Sequence, residues 1–226
     1  MSQTIQSDWV NLTASDNHKL PAFIAHPEET SRGNVIIVQE IFGVNHHIRS
    51  IVLNLASAGY TAIAPALFER AEKNVDLAYD EAGIASGIAL KGKISWDDAL
   101  KDIHSAISFF TDHQSVAVMG FCWGGTLAWL AASQLPISAS ICYYGGQIGE
   151  FLEKAPQVPL LAHFGQDDRS IPLRVPETLK KRYPGAISHV YQGAGHAFNC
   201  NERSSYHKGA SDKAMRRTLG FLESIF

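Results

Sequence analysis

The chain has 226 residues, of which 46% are hydrophobic and 18% charged, and its formal net charge is -3. This length predicts a single domain over residues 1–226 with a sizeable hydrophobic core. The small negative charge and the scattered lysines and arginines argue against a nucleic-acid partner and against an anionic membrane surface.

No stretch approaches the roughly 20 apolar residues that a membrane span requires. The polar N-terminus, from Met1 to Asp8, does not have the pattern of a signal peptide. Three cysteines are few and odd in number, which argues against a disulfide scaffold and favours a reducing compartment. We therefore expect a cytoplasmic protein, either a monomer or a small homo-oligomer.

Apolar runs alternate with amphipathic segments, which predicts an α/β fold with a mostly parallel central sheet and helices on both faces. Strands are predicted at residues 18–26, 34–39, 60–64, 116–119, 139–143, 159–164 and 188–191. Helices are predicted at residues 48–58, 95–110, 126–133, 172–181 and 205–226. Within residues 66–94 a helix over 75–90 is weakened by Gly83 and Gly87, and this excursion is a candidate cover for a substrate site.

The stretch Gly120-Phe-Cys-Trp-Gly-Gly125 lies between an apolar strand and a helix-forming segment. Strand, sharp turn and helix form the nucleophile elbow of the α/β-hydrolase fold, here with cysteine where serine usually stands. A residue on that turn is strained and needs small neighbours, which the glycines supply. The pattern predicts acyl transfer with Cys122 as the nucleophile.

An acid and a histidine follow Cys122 along the chain. The order Cys122, Asp168, His196 is the order of nucleophile, acid and base in α/β hydrolases, and each residue follows a predicted strand. Asp167 competes with Asp168 for the acid role, and the spacing to the following Ile171 favours Asp168.

The three roles follow from chemistry. An ordinary thiol is only a few per cent ionised at neutral pH, and a helix N-terminus and an imidazolium both favour its thiolate. His196 would take the thiol proton and later activate water, while Asp168 would fix the imidazole tautomer. The backbone N–H groups of Trp123 and Ile41 are candidates for an oxyanion hole.

These motifs also carry a family resemblance. Gly120-Phe-Cys-Trp-Gly-Gly125, Gln39-Glu-Ile-Phe-Gly43, Gly165-Gln-Asp-Asp-Arg-Ser-Ile-Pro172 and Gly195-His-Ala-Phe198 resemble the dienelactone hydrolase (carboxymethylenebutenolidase) family. The resemblance implies hydrolysis of dienelactone to maleylacetate, in the breakdown of chlorinated aromatic compounds, through a thioester and without metal or organic cofactor. It implies Cys122 as nucleophile, Asp168 as acid and His196 as base.

The resemblance implies a role for Glu40 as well. It matches a family glutamate that hydrogen-bonds the resting thiol and accepts its proton when substrate binds. Taken without the resemblance, Glu40 is equally well explained as a cap of the segment that follows.

One position departs from the family. Well-studied members hold the substrate carboxylate with arginines, one of them four residues after the catalytic histidine, and here that position is Cys200. Arg203 is the nearest substitute, and Arg70 and Arg169 are further candidates. We expect a substrate pocket that includes these residues: Arg203, Phe42, Tyr144, Phe198 and Cys200.

Several residues and the chain as a whole also have other interpretations. Cys142 is expected to be a packing residue, and Cys200 a residue that lines the site. Two pairs of side chains could be imagined as metal ligands, His46 with His47 and His163 with Asp167. Neither pair has a known zinc spacing, so we predict no metal. The rivals to a dienelactone hydrolase are a hydrolase of another small ester or lactone and a non-catalytic binding protein of the same fold.

Overall fold

A computed structural model describes residues 5–110 and 115–226 of the chain. Residues 1–4, which belong to the polar N-terminal stretch considered above, lie outside the described residues. Two compact units make up the fold, the first ending at Val116 and the second running from Ala117 to Phe226. The prediction of a single domain over residues 1–226 stays a prediction.

The first unit combines two antiparallel strand pairings with one parallel pairing. Its strands are β1 (Gln6–Thr13), β2 (Lys19–His26), β3 (Asn34–Val38) and β4 (Thr61–Pro65), in the order β1-β2-β4-β3. Its helices are α1 (His46–Ser57), α2 (Glu81–Lys91) and α3 (Trp96–Ser108). The α/β alternation that the sequence predicted is therefore present.

Local sequence signals explain where these elements begin and end. All five residues of β3 are buried, as expected for a short run rich in valine and isoleucine. The Asn45 side chain accepts a hydrogen bond from the Ile48 amide at 3.2 Å, and this cap begins α1. Ser95 caps α3 in the same way, through the Asp98 amide at 3.1 Å.

The sequence analysis missed β1 and placed α2 too early. Strand β1 is mostly exposed, with Leu12 as its only fully buried residue, so its sequence has no apolar run to detect. Helix α2 begins only at Glu81, after a cap by Asp80 to the Gly83 amide at 2.7 Å. Among the preceding residues, Asp76 forms a bridge with Gly43 and the Leu77 amide donates to the Phe42 carbonyl, in the loop after β3.

The second unit is a set of parallel strands with intervening helices. Its strands are β5 (Val116–Phe121), β6 (Ala139–Tyr143), β7 (Leu160–Gly165) and β8 (Ile187–Tyr191), in that spatial order. Its helices are α4 (Trp123–Gln134), α5 (Arg174–Arg182) and α6 (Lys208–Ile225). Because the strands are parallel, their carboxyl ends meet at one edge, where open α/β sheets build their sites.

A buried polar network ties α6 to this sheet. The Thr218 hydroxyl lies 2.8 Å from the Tyr143 hydroxyl and 3.1 Å from His163 Nε2, and His163 Nδ1 lies 2.8 Å from the Tyr191 hydroxyl. Burial lowers the pKa of His163 well below its usual value, with further lowering by His189 and Arg217. The neutral ring therefore acts as a structural hydrogen-bonding group with both nitrogens used.

Within the two described ranges, no helix has the length and apolar character that a bilayer crossing requires.

Replacing Thr218 with valine keeps the side-chain shape but removes the hydroxyl that two buried partners share. We expect Thr218→Val to lower the free energy of unfolding by about 2 kcal/mol or more, since Tyr143 and His163 each lose a partner. Urea unfolding measures this loss. The matched control Thr178→Val lies on the exposed face of α5 and should change stability by less than about 0.5 kcal/mol. Equal effects of the two substitutions would contradict the importance of the network.

Candidate active site

Cys122 occupies the tight turn between β5 and α4. Its φ of 54° lies in the left-handed region that non-glycine residues rarely adopt. The Cys122 amide donates to the Tyr143 carbonyl at 3.0 Å, and the Cys122 carbonyl accepts from Thr126 at 3.2 Å. Helix α4 begins at Trp123, three residues earlier than the sequence predicted, so Cys122 stands directly at the positive end of the helix.

Two glycines make this turn possible. A Cβ at Gly120 would lie 1.9 Å from the Gly124 carbonyl oxygen, and a Cβ at Gly125 would lie 2.5 Å from the Tyr143 carbonyl oxygen. Any side chain at these positions would collide with backbone, so α4 could not approach β5 and β6 as closely as it does. The glycines of the motif therefore serve backbone packing around the turn.

His196 lies between Cys122 and Asp168. His196 Nε2 is 3.1 Å from Cys122 Sγ, and His196 Nδ1 is 2.8 Å from Asp168 Oδ2. All three residues follow strand ends at the same edge, after β5, β7 and β8. The structure thus brings together the three residues that the sequence selected, with the histidine in contact with both the cysteine and the aspartate.

Burial and hydrogen bonding distinguish Asp168 from Asp167. Asp168 is 6% exposed, and its Oδ1 accepts the amides of Ser170 at 2.8 Å and Ile171 at 3.2 Å, which leaves Oδ2 for His196. The Asp167 side chain is exposed, and its amide donates to the Ala194 carbonyl. Of the two acids, Asp168 is the one in contact with the histidine.

The charge state of His196 follows from its partners. Burial of the ring disfavours its charged form, but hydrogen bonds to Asp168 and to Cys122 outweigh burial and raise the pKa of His196 to about 10. At neutral pH the ring is therefore protonated, an imidazolium beside sulfur. The imidazolium therefore holds a proton 3.1 Å from the Cys122 sulfur.

In the first unit, the loop after β3 carries Glu40, Ile41 and Phe42. Glu40 is buried, and its Oε2 accepts a hydrogen bond from the Tyr79 hydroxyl at 3.0 Å. The Phe42 and Tyr79 rings lie 4.5 Å apart between centroids. Sequence reasoning did not find Tyr79 as the partner of Glu40, because a separation of 39 residues along the chain leaves no local signal.

The strap formed by residues 75–87 packs closely on this loop. The Leu77 amide donates to the Phe42 carbonyl at 3.0 Å, and Gly43 forms a bridge with Asp76. A Cβ at Gly87 would lie 1.9 Å from the Ile41 carbonyl oxygen, so α2 contacts the loop backbone directly. Gly87, which weakened the helix prediction, therefore allows α2 to pack closely on this loop. Whether the strap covers a substrate stays a prediction.

The expected substrate-binding residues differ in exposure. Phe42, Tyr144, Phe198 and Cys200 are each at most 1% exposed, whereas Arg203 is partly exposed. Their contact with a substrate stays a prediction.

The Arg70 guanidinium is paired with two aspartates of the first unit. Its guanidinium contacts Asp102 through Nε at 2.7 Å and Nη2 at 2.8 Å, and contacts Asp16 at 3.0 Å. This arginine therefore stabilises the first unit and is a poor candidate for holding a substrate carboxylate. Arg169 is exposed in the loop after β7 and stays a candidate.

Comparisons with known proteins agree on one family. The family model described as "Dienelactone hydrolase family" matches residues 20–226. A Yersinia pestis protein named "Putative carboxymethylenebutenolidase" is 37% identical, with 91% of this chain and 84% of that protein covered. The "Carboxymethylenebutenolidase" of Pseudomonas putida is 30% identical, with 97% of each chain covered.

A solved structure gives the same result. The structure described as "Putative Dienelactone Hydrolase" from Klebsiella pneumoniae matches with a TM-score of 0.84 and 30% identity, covering 98% of this chain and 99% of that chain. The predicted α/β-hydrolase fold with mostly parallel strands is thereby confirmed.

The two neighbouring acids offer a matched pair of substitutions. We expect Asp168→Asn to lower kcat/KM for ester hydrolysis by about a hundredfold or more, because an amide cannot stabilise the imidazolium or hold the same tautomer. Asp167→Asn removes the same charge one residue away and should stay within about threefold of the parent. Steady-state kinetics on 4-nitrophenyl acetate compares the two variants. A larger loss in Asp167→Asn would reassign the acid.

Proposed function

Because the chain belongs to the dienelactone hydrolase family, and is a hydrolase of the ester or lactone type, we propose that it acts through a cysteine thioester. The observation that carries the proposal is the contact of His196 with Cys122 on one side and Asp168 on the other. In this proposal Cys122 is the nucleophile, His196 the acid and base, and Asp168 the group that orients the ring.

The first half of the reaction forms the thioester. The Cys122 thiolate attacks the substrate carbonyl, and the amides of Trp123 and Ile41 stabilise the oxyanion. When the carbon–oxygen bond of the ester or lactone breaks, the His196 imidazolium donates its proton to the leaving oxygen. A lactone ring opens in this step and remains attached to Cys122 as the thioester.

The second half returns the enzyme to its starting state. The neutral His196 accepts a proton from water, and the resulting hydroxide attacks the thioester carbonyl. The carbon–sulfur bond breaks, the acid leaves, and the released Cys122 thiolate takes back from Glu40 the proton that the carboxylate accepted on substrate binding. Asp168 stabilises the His196 imidazolium throughout, with its second oxygen held by two backbone amides.

Glu40 is the fourth proposed catalytic residue. The family resemblance gives it the role of a carboxylate that hydrogen-bonds the resting thiol and accepts its proton on substrate binding. The Tyr79 hydroxyl, which donates to Oε2 at 3.0 Å, supports this role because it fixes the carboxylate of a buried residue. We also propose no metal or organic cofactor, since nucleophile, acid and base are all supplied by side chains.

Two substrate classes are compatible with this chemistry. Dienelactone is an anion, and its recognition requires a cation. The family arginine four residues after the histidine is replaced by the buried Cys200, which favours a different small ester or lactone unless Arg203 takes over. The non-catalytic alternative is disfavoured, because a binding protein has no need of an imidazolium 3.1 Å from a cysteine sulfur.

A cytoplasmic location is likewise proposed, because Cys122, Cys142 and Cys200 are all free and a thiolate enzyme requires a reducing compartment.

Removal of the nucleophile tests the mechanism. We expect Cys122→Ala to lose hydrolysis by on the order of a thousandfold or more, and intact-mass analysis should detect an acyl adduct only when Cys122 is present. The control is Cys142→Ala, because burial raises the pKa of the Cys142 thiol to about 12 and keeps it protonated. That variant should retain both activity and adduct. Undiminished hydrolysis by Cys122→Ala would refute the proposal.

The charged histidine gives Cys122 a distinctive reactivity. We expect iodoacetamide to alkylate Cys122 at about pH 6 to 7 at least about tenfold faster in the parent than in His196→Gln, because an imidazolium 3.1 Å from the sulfur stabilises the anion that reacts. The alkylation profile of each variant is measured from about pH 6 to about pH 9, the range over which His196 keeps its proton. Equal rates in the parent and in His196→Gln would contradict an imidazolium at this position.

The substrate class depends on Arg203. We expect Arg203→Ala to raise KM for dienelactone by about tenfold and to leave KM for 4-nitrophenyl acetate unchanged, because only the lactone has a carboxylate to hold. Arg182→Ala is the control, since Arg182 ends α5 near the amino end of β7, away from the edge with Cys122. An unchanged ratio between the two substrates would remove Arg203 from the pocket.

A further inference from the structure

Tyr144 has a strained backbone for which the mechanism gives no reason. Among the described non-glycine residues, five have a left-handed φ, and two of these are asparagines, which tolerate it. The other three are Cys122 at 54°, Ala197 at 62°, directly after His196, and Tyr144 at 38°. Such strain persists only where the surrounding structure enforces it, and it concentrates at functional sites.

Both the backbone and the ring of Tyr144 are held in place. The residue directly follows β6, and its amide donates to the His163 carbonyl on β7 at 2.8 Å. Its ring is 0% exposed and packs against Phe121 and Phe198, with centroid distances of 6.1 and 5.4 Å. Tyr144 is thus a fixed surface inside the second unit.

That surface contacts the imidazole of His196. The two ring centroids lie 5.3 Å apart, with an angle of 60° between the ring planes. An edge-on arrangement of this kind is favourable for two aromatic rings. His196 is therefore in contact with three side chains that each restrict it differently: Cys122, Asp168 and Tyr144.

The two hydrogen bonds of His196 hold the ring at only two atoms, Nε2 and Nδ1. A tilt that moves these atoms out of line with their acceptors is opposed only by the bending of the two bonds. A tilt turns each N–H away from its acceptor and weakens both bonds, since hydrogen bonds lose strength steeply when they are bent. Contact with a rigid neighbour beside the ring removes this freedom.

We propose that Tyr144 is a positioning residue that sets the tilt of the His196 ring and so aligns it with Cys122 and Asp168. The proposal rests on the proposed function for the role of His196. The proposal explains the left-handed backbone of Tyr144, because an extended conformation at this position would direct the ring away from His196. The alternative is the role predicted from the sequence, a wall of the substrate pocket, and loss of such a wall would raise KM.

Two substitutions separate the ring from the hydroxyl. Tyr144→Phe keeps the ring and should retain kcat for 4-nitrophenyl acetate within about twofold. Tyr144→Leu removes the ring and should lower kcat by about tenfold to a hundredfold, because small misplacements of catalytic groups cost this much. KM should change by less than about threefold, because in this proposal the Tyr144 ring acts on His196 and not on the substrate.

A matched control accounts for lost packing. Tyr60 is 1% exposed and lies in the first unit, so Tyr60→Leu removes the same atoms from another buried position. Its kcat per mole of folded protein should equal that of the parent. If Tyr144→Leu does not fold, Tyr144→Asn replaces it, because asparagine tolerates the left-handed backbone and also removes the ring.

The rate at which iodoacetamide alkylates Cys122 is a second readout, and a change in protein stability alone does not alter this rate. In Tyr144→Leu the alkylation rate at about pH 6 to 7 should fall below that of the parent, as in His196→Gln, because a tilted imidazolium stabilises the reacting sulfur anion less. Tyr144→Phe and Tyr60→Leu should keep the alkylation profile of the parent. This measurement needs no substrate.

Three results would overturn the proposal: a parent-like kcat and alkylation profile in Tyr144→Leu, a rise in KM alone, or an equal kcat loss in Tyr60→Leu. A Tyr144→Phe variant as impaired as Tyr144→Leu would also refute it, by assigning the effect to the hydroxyl. Full hydrolysis by Cys122→Ala would instead refute the proposed function, and the alkylation profile would still test Tyr144 by itself.

Discussion

His196 joins two residues that lie 46 positions apart in the chain, Cys122 and Asp168, and the second unit is built so that both contacts hold at once. Parallel strands β5 to β8 bring the chain to the same edge after each strand. The glycines of the elbow let α4 approach closely enough to direct its positive end at Cys122. A protonated ring beside sulfur is the consequence, and the proposed thioester chemistry depends on it.

The buried polar network lies directly behind this edge. His163 provides its carbonyl to the Tyr144 amide, while its ring nitrogens bond to Tyr191 and Thr218. The same strand, β7, ends just before the loop that carries Asp168. The strand that positions the acid therefore also holds the backbone of the residue packed against His196. The neutral, low-pKa state of His163 suits this role, because it keeps a charge out of the core.

Sequence reasoning succeeded where the signal was local. Buried β-branched runs identified β3, and Ser95 with its acidic neighbours identified α3. It failed for the mostly exposed strand β1, which has no apolar run, and it did not place the start of α2. Cys122, Asp168 and His196 could be chosen from motif order, whereas the contacts of Tyr79 with Glu40 and of Tyr144 with His196 could not be foreseen. These contacts join distant parts of the chain, although the position of Tyr144 at a strand end was a usable hint.

The order of the motifs does not identify the substrate, because recognition of an anionic substrate depends on the interactions of individual arginines. A carboxylate needs an available cation, and the candidates differ in what already holds them. Arg70 is committed to Asp102 and Asp16, with 14% of its side chain exposed, so releasing it would leave a buried carboxylate unpaired. Cys200 supplies no cation. We therefore propose Arg203 and Arg169 as the candidates for binding an anion, and if neither does so the proposed cysteine chemistry would act on uncharged esters.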